Sequence, residues 1–279
     1  MKTSSRFLNV GGAILGAAAL LATVTTSQAA LIIYEGFDID PPATLEGASG
    51  ATSSGWTTNW DNTDNAWEST AAGLSYGPLV TSTGGGMTTG NQGNMQAYRN
   101  FASQSSGSSA APATYWFSFL FNRSEGADSG SMGLSFFNGG TENTFVGQPG
   151  VSNYGFNAPF GNINSTIPVT TGTTVFLLAR YVMDGNTSGQ TSLAHYWVNP
   201  DISDTVIVPS DSAAVAEFGT AFRAFGFDRI RLGSFGSRGA IDEIRLGTTF
   251  RDVAPIPEPA SAMLLGAGLL TLVVRRRRA

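Results

Sequence analysis

Between residues 113 and 122 the chain alternates with a period of two. Tyr115, Phe117, Phe119 and Phe121 fall on one side, and Trp116, Ser118 and Leu120 on the other. Successive side chains of an extended strand point to opposite faces, whereas a helix would scatter these four rings around its axis. Four aromatic rings on one face need a core to cover them. The stretch therefore predicts a strand packed on a hydrophobic core.

Shorter segments read the same way. Residues 31–37 open on Leu31, Ile32, Ile33 and Tyr34, which predict a first strand ended by Gly36 and residues 38–42. Strands are also predicted over 66–69, 74–80 and 95–101, and 132–137 continues the alternation. Residues 173–183 predict a long strand, Asp184-Gly185-Asn186 a turn, and 193–198 the returning strand, stopped by Asn199-Pro200. Residues 47–65 and 84–94 read as loops, 138–167 as mostly loop with 154–157 extended, and 210–218 as a helical turn. The pattern D-x-I-R-L-G occurs twice, at 228–233 and 242–247. Direct pairing of the copies would set Ile230 against Ile244 and Arg231 against Glu243 on the solvent face. Asp228 and Asp242 would then share the inward face.

Glycine supplies 35 of the 279 residues and there is no cysteine. Disulfides, thiol chemistry and Cys-based metal sites are thereby excluded together, and a core must hold the fold. Many short strands, no long helix and glycine-rich turns predict an all-β, two-sheet jelly-roll sandwich.

Both ends carry a different composition. Lys2 and Arg6 precede an apolar run at 10–24, and Ser27-Gln28-Ala29 offers a small-x-small cleavage pattern. Residues 1–29 read as a signal peptide for the Sec export machinery, cut after Ala29. At the other end Pro257-Glu258-Pro259 precedes an uncharged run at 260–274, then Arg275, Arg276, Arg277 and Arg278. The run is shorter than the roughly 20 residues a spanning helix needs. A plain membrane anchor is one reading of these residues. The tripartite tail also resembles the PEP-CTERM sorting signal of bacterial exported proteins. That resemblance implies an exosortase-type sorting enzyme as partner, cleavage near Pro257-Glu258-Pro259, and membrane contact only through a transient C-terminal helix. It implies delivery to the cell envelope, cell surface or extracellular matrix of a bacterium. The expected organisation is a signal peptide (1–29), a sandwich domain (30–250), a linker (251–256) and a sorting signal (257–279).

Charge narrows the partners. Residues 30–274 hold nine arginines and no lysine against 20 acidic residues, a net charge near −11. Nucleic acids and anionic membranes need clustered positive charge, so neither is expected as a partner.

Three short motifs carry a second resemblance: Tyr34-Glu35-Gly36-Phe37, the strand ending Tyr196-Trp197-Val198-Asn199-Pro200, and Ile241-Asp242-Glu243-Ile244-Arg245-Leu246-Gly247. Together they resemble the concanavalin A-like lectin and glucanase family. That resemblance implies a jelly roll whose first and last strands lie close together. Glucanases of this fold carry acids at alternate positions, E-x-D-x-x-E. Here Asp242 and Glu243 are adjacent, and adjacent strand residues point to opposite faces. His195 is the sole histidine, expected in a strand on the face of Leu193 and Trp197, and no G-x-S-x-G elbow or phosphate loop occurs. The chain is therefore read as a non-enzymatic structural or adhesive protein that contacts exopolysaccharide. A glycan-cleaving enzyme of the same fold is the alternative.

Two sets of residues could bind something. Glu35 and Asp38 end the first strand and Asp242 opens the last. If those ends meet, the three could hold a structural calcium, which takes six to eight oxygens. Ordinary hydrogen bonding is the other outcome for them. The loop at 61–65 is a weaker candidate of the same kind. Trp56, Trp60 and Trp67 lie within twelve residues beside Asp61, a density that suits either a sugar platform or a cover for the core.

Overall fold

The computed structural model describes residues 30–39, 43–61, 67–79, 81–82, 84–89, 93–158, 161–202 and 216–255. The expected signal peptide, the sorting segment from 257 onward and residues 62–65 lie outside them, as does most of the helical turn expected at 210–218. In chain order the strands are β1 (Leu31–Glu35), β2 (Trp67–Ser69), β3 (Met87–Thr89), β4 (Asn94–Gln104), β5 (Ala113–Asn138), β6 (Thr141–Pro149), β7 (Asn153–Ala158), β8 (Gly161–Pro168), β9 (Thr174–Met183), β10 (Ser192–Val198), β11 (Ala216–Phe222) and β12 (Phe227–Gly247). A short helix, α1 (Phe250–Val253), follows.

Strands β5 and β12 are long enough to serve both layers of a jelly-roll sandwich. They pair with each other antiparallel, with register shifts after Phe235, Arg238 and Asp242. Residues 113–122 of β5 and 239–247 of β12 belong to one sheet, ordered β11-β10-β9-β5-β12, with β3 and β2 beyond β12 and β1 beside its end. Residues 131–138 of β5 and 227–235 of β12 belong to the other, ordered β8-β7-β6-β5-β12-β4. The first strand pairs with the last, Tyr34 opposite Arg245 and Glu35 opposite Ile244, so the expected closeness of the two ends is realised.

The alternation in β5 does what its pattern demands. Tyr115, Phe117, Phe119 and Phe121 join the main core, and Trp116 and Leu120 join a second cluster on the opposite face. The two layers meet through aromatic edges. Phe117 and Phe136 lie 4.6 Å apart, Tyr115 and Phe227 5.0 Å, and Phe121 and Tyr154 5.8 Å, all near T-shaped. His195 stacks on Trp197 as its position suggested, at 5.9 Å, and Arg180 Nη2 donates to His195 Nδ1 at 3.0 Å.

Several expectations are corrected. Residues 138–167, read as mostly loop, contain β6, β7 and β8. These strands are rich in Gly, Asn, Ser and Thr, so their alternation is faint. Glycines also fall in register across four strands, Gly233 opposite Gly133, Gly133 opposite Gly147 and Gly147 opposite Gly155. A Cβ on Gly133 would sit 2.1 Å from the Val146 carbonyl oxygen, so the close approach requires glycine there. The two D-x-I-R-L-G copies do not pair with each other. They lie in one strand, with Ile230 opposite Phe136 and Ile244 opposite Glu35. Arg231 instead pairs with Glu142 at 2.7 Å. Residues 74–79, expected as a strand, form an irregular segment whose Leu74, Tyr76 and Leu79 pack on the second cluster. Residues 216–218, the end of the expected helical turn, open β11.

The expected linker is part of the packed body. Phe250, Val253 and Ala254 are buried in the second cluster, with Phe250 5.5 Å from Trp116. Ser118 Oγ donates to the Val253 carbonyl at 2.6 Å. Asp252 accepts from the Thr248 and Thr249 N–H groups at 3.0 and 2.8 Å, so the turn into α1 is capped.

Phe117→Ala is expected to lower stability by about 3–5 kcal/mol. Urea unfolding should show a lower midpoint with an unchanged slope. A chain ending at Thr249 should melt at a lower temperature than one ending at Pro255, because its loss uncovers Trp116. Equal melting temperatures would contradict the packing of α1.

Candidate functional site

The site is built where the first strand ends. After Glu35 the chain turns through Phe37, which adopts a left-handed φ of 49° and is fully buried. Residues 43–61 then run as an irregular but well-tied loop. Tyr34 and Ser54 exchange two backbone hydrogen bonds of 3.0 Å, Asp61 and Tyr98 exchange two of 2.8 and 2.7 Å, and Thr57 N–H donates to Asn100 O at 2.9 Å. The loop thus spans β1 and β4. Gly55 makes the approach to β1 possible: its φ is +81°, and a Cβ would lie 1.8 Å from the Ile32 carbonyl oxygen.

The three tryptophans separate. Trp67 is 0% and Trp60 1% exposed, so neither can present a ring to a ligand. Trp60 stacks on Phe37 at 5.8 Å and donates Nε1–H to Glu35 Oε2 at 3.0 Å. Trp56 is half-buried, donates Nε1–H to Tyr34 O at 2.8 Å and packs edge-on to Phe101. Asp61 is exposed and lies outside the ring of residues around Trp56. That ring is Ser49, Gly50, Ser53, Ser54, Gly55, Trp56, Thr57, Thr58, Asn59 and Arg99, enclosing a shallow depression of about 530 Å³. Of the four expected ligand residues, only Trp56 reaches it.

Sequence reasoning missed Arg99. Its position carried a signal, because Met95, Ala97, Arg99 and Phe101 alternate along β4 and the other three join the core. An arginine on an inward face needs a buried acid. The acid is Glu35, fully buried, which forms an ion pair with Arg99 Nη1. Glu35 also accepts from Phe37 N–H at 3.1 Å. Burial pushes the Glu35 carboxyl up to about 7, against the opposing pull of Arg99, Trp60 and Phe37 N–H. The guanidinium lies 4.7 Å from the Trp56 ring centroid, a cation–π contact.

The expected calcium ligands do not come together as a set. Glu35 Oε1 and Asp38 Oδ1 do converge, lying 2.9 and 3.0 Å from where a Gly50 Cβ would stand. Asp242 is held elsewhere: Leu74 and Glu243 N–H groups both donate to it at 2.7 Å. Among the described residues no group of three His, Cys, Asp or Glu side chains could hold a metal ion. Backbone donors take the Asp242 oxygens, and Arg99 takes Glu35, which is the physical reason the set fails.

The orientation expected for Asp242 and Glu243 is also corrected. Glu243 has φ +53° within a register shift of β12, a bulge that inserts an extra residue. Both acids then face the side of Ser118 and Leu120 rather than opposite sides. Glu243 accepts from Tyr34 Oη at 3.1 Å, Ser82 N–H at 2.5 Å and Arg245 Nη2 at 2.7 Å. Burial, with Glu243 nearby, pushes the Asp242 carboxyl up to about 8.

A raised carboxyl pKa means the folded chain holds more protons than the unfolded chain between about pH 4 and pH 8. Stability is expected to fall as pH rises through that window. Thermal melts across it should show the decline, and Asp242→Asn should flatten it. An unchanged slope in the variant would exclude Asp242 as its source.

Residues 255–278 match the family model of the PEP-CTERM protein-sorting motif. The motif marks the chain as an exported protein directed to the cell envelope and implies exosortase-type processing. No curated protein sequence matches the chain. Solved structures similar to it include an alginate lyase in complex with an alginate trisaccharide, at TM-score 0.44 and 12% identity, covering 79% of this chain and 100% of that one. Domain 4 of an extracellular arabinanase from Geobacillus stearothermophilus, in complex with arabinotriose, has TM-score 0.41 and 11% identity over 79% of this chain and 93% of that one. The catalytic domain of a family 131 glycoside hydrolase from Coprinopsis cinerea has TM-score 0.41 and 13% identity over 81% and 87%.

Proposed function

We propose that this exported protein is a non-catalytic, adhesive component of the cell surface or extracellular matrix that binds polysaccharide in the Trp56 depression. The observation that carries this reading is the make-up of that depression. A half-buried indole stands among Ser49, Ser53, Ser54, Thr57, Thr58 and Asn59, within a volume suited to one or two sugar rings. An indole face covers the apolar C–H surface of a sugar, and hydroxyl and amide groups exchange hydrogen bonds with its ring hydroxyls. The loop is pinned by backbone hydrogen bonds to β1 at Ser54 and to β4 at Thr57 and Asp61, so little ordering is needed on binding.

Titration calorimetry of residues 30–255 against a polysaccharide panel tests the reading. Trp56→Ala is expected to weaken binding by about 2 kcal/mol, roughly thirtyfold, and also to lower the melting temperature, because the indole packs on Phe101 and donates to Tyr34 O. Absence of any binding would sink it. Release of reducing ends during the titration would point instead to a glycan-cleaving enzyme.

A further inference from the structure

Arg99 is the one charged residue among the ten that line the depression, and four of its five N–H donors are already committed. Nη1 is paired with Glu35, Nε donates to Thr58 O at 2.9 Å, and Nη2 donates to Ser49 O at 3.2 Å and Ser53 Oγ at 3.4 Å. The guanidinium is also stacked against Trp56, and the residue is 4% exposed. Its positive end is therefore turned to Glu35 within the protein. An anionic ligand that recruited it would have to leave the fully buried Glu35 without its cation. The net charge near −11 over residues 30–274, nine arginines against 20 acids, adds a long-range repulsion for polyanions. What the depression offers to a ligand is hydroxyl, amide and indole.

We propose that the depression takes uncharged sugar residues of a neutral polysaccharide and discriminates against uronates and other anionic glycans. This rests on the binding reading above and goes beyond it by naming the ligand class. Arg99 acts here as a positioning residue: it orders the 49–58 backbone and seats Trp56, and it does not meet the ligand's charge.

The test compares residues 30–255 on immobilised neutral glycans (dextran, galactomannan, xyloglucan) and on uronate polymers (alginate, polygalacturonate), from low salt to about 1 M ionic strength. The expected result is binding to at least one neutral glycan, with uronates at least roughly tenfold weaker. That binding should be insensitive to salt and roughly thirtyfold weaker in Trp56→Ala. Asn59→Ala, an exposed substitution on the same rim, should weaken it as well and serves if the first variant folds poorly. Equal or tighter binding to alginate, or binding that collapses with salt, would overturn the inference while leaving glycan binding in place. No binding to either class would overturn the binding reading, and this inference with it.

Discussion

The antiparallel pairing of β5 with β12 is the constraint on which the rest of the molecule depends. Each strand contributes one half to each sheet, so a single ladder sets the register of both layers. The facing rings of Phe117 and Phe136 belong to the same strand, which folds its own two halves across the core. The register shifts along this ladder allow the bend. One of them, at Asp242–Glu243, turns two acids toward the same face, where backbone N–H groups donate to Asp242 and Tyr34 and Arg245 donate to Glu243.

A second constraint acts at the end of β1. The Glu35–Arg99 pair is almost wholly removed from water, and such a pair roughly offsets its own desolvation rather than adding much stability. Its effect is one of arrangement. Glu35 gathers Arg99, Trp60 and Phe37 N–H around one carboxylate. Arg99 in turn fixes Ser49, Ser53, Thr58 and Trp56. The surface loop is ordered by a charge pair beneath it.

How much of this was legible in the sequence differs from element to element. The β5 alternation and the β9–β10 hairpin with its Asp184-Gly185-Asn186 turn followed from local pattern, because apolar contrast was strong there, whereas the meeting of first and last strands followed from the resemblance to the concanavalin A-like family. Strands β6 to β8 were hidden because glycine and small polar residues carry no contrast. The D-x-I-R-L-G echo misled because similarity of two segments does not say whether they pair or lie in line. Among the tryptophans, spacing gave the cluster but not its depth, since Trp60 and Trp67 turn inward and Trp56 does not. Arg99 was visible only as a charge in an inward register, a signal that requires knowing which face of β4 is buried.

The packing of α1 has a consequence for how the chain meets its sorting machinery. Ordered, buried structure continues to Ala254, and the sorting motif starts at the next residue. Even fully extended, the three residue steps from Ala254 to Pro257 span no more than roughly 10 Å. A sorting enzyme that acts on the folded protein thus works at the foot of the sandwich, with almost no tether between its substrate peptide and a bulky body. The shape of that lower surface, formed by α1 and the residues around it, becomes part of what the enzyme must accommodate.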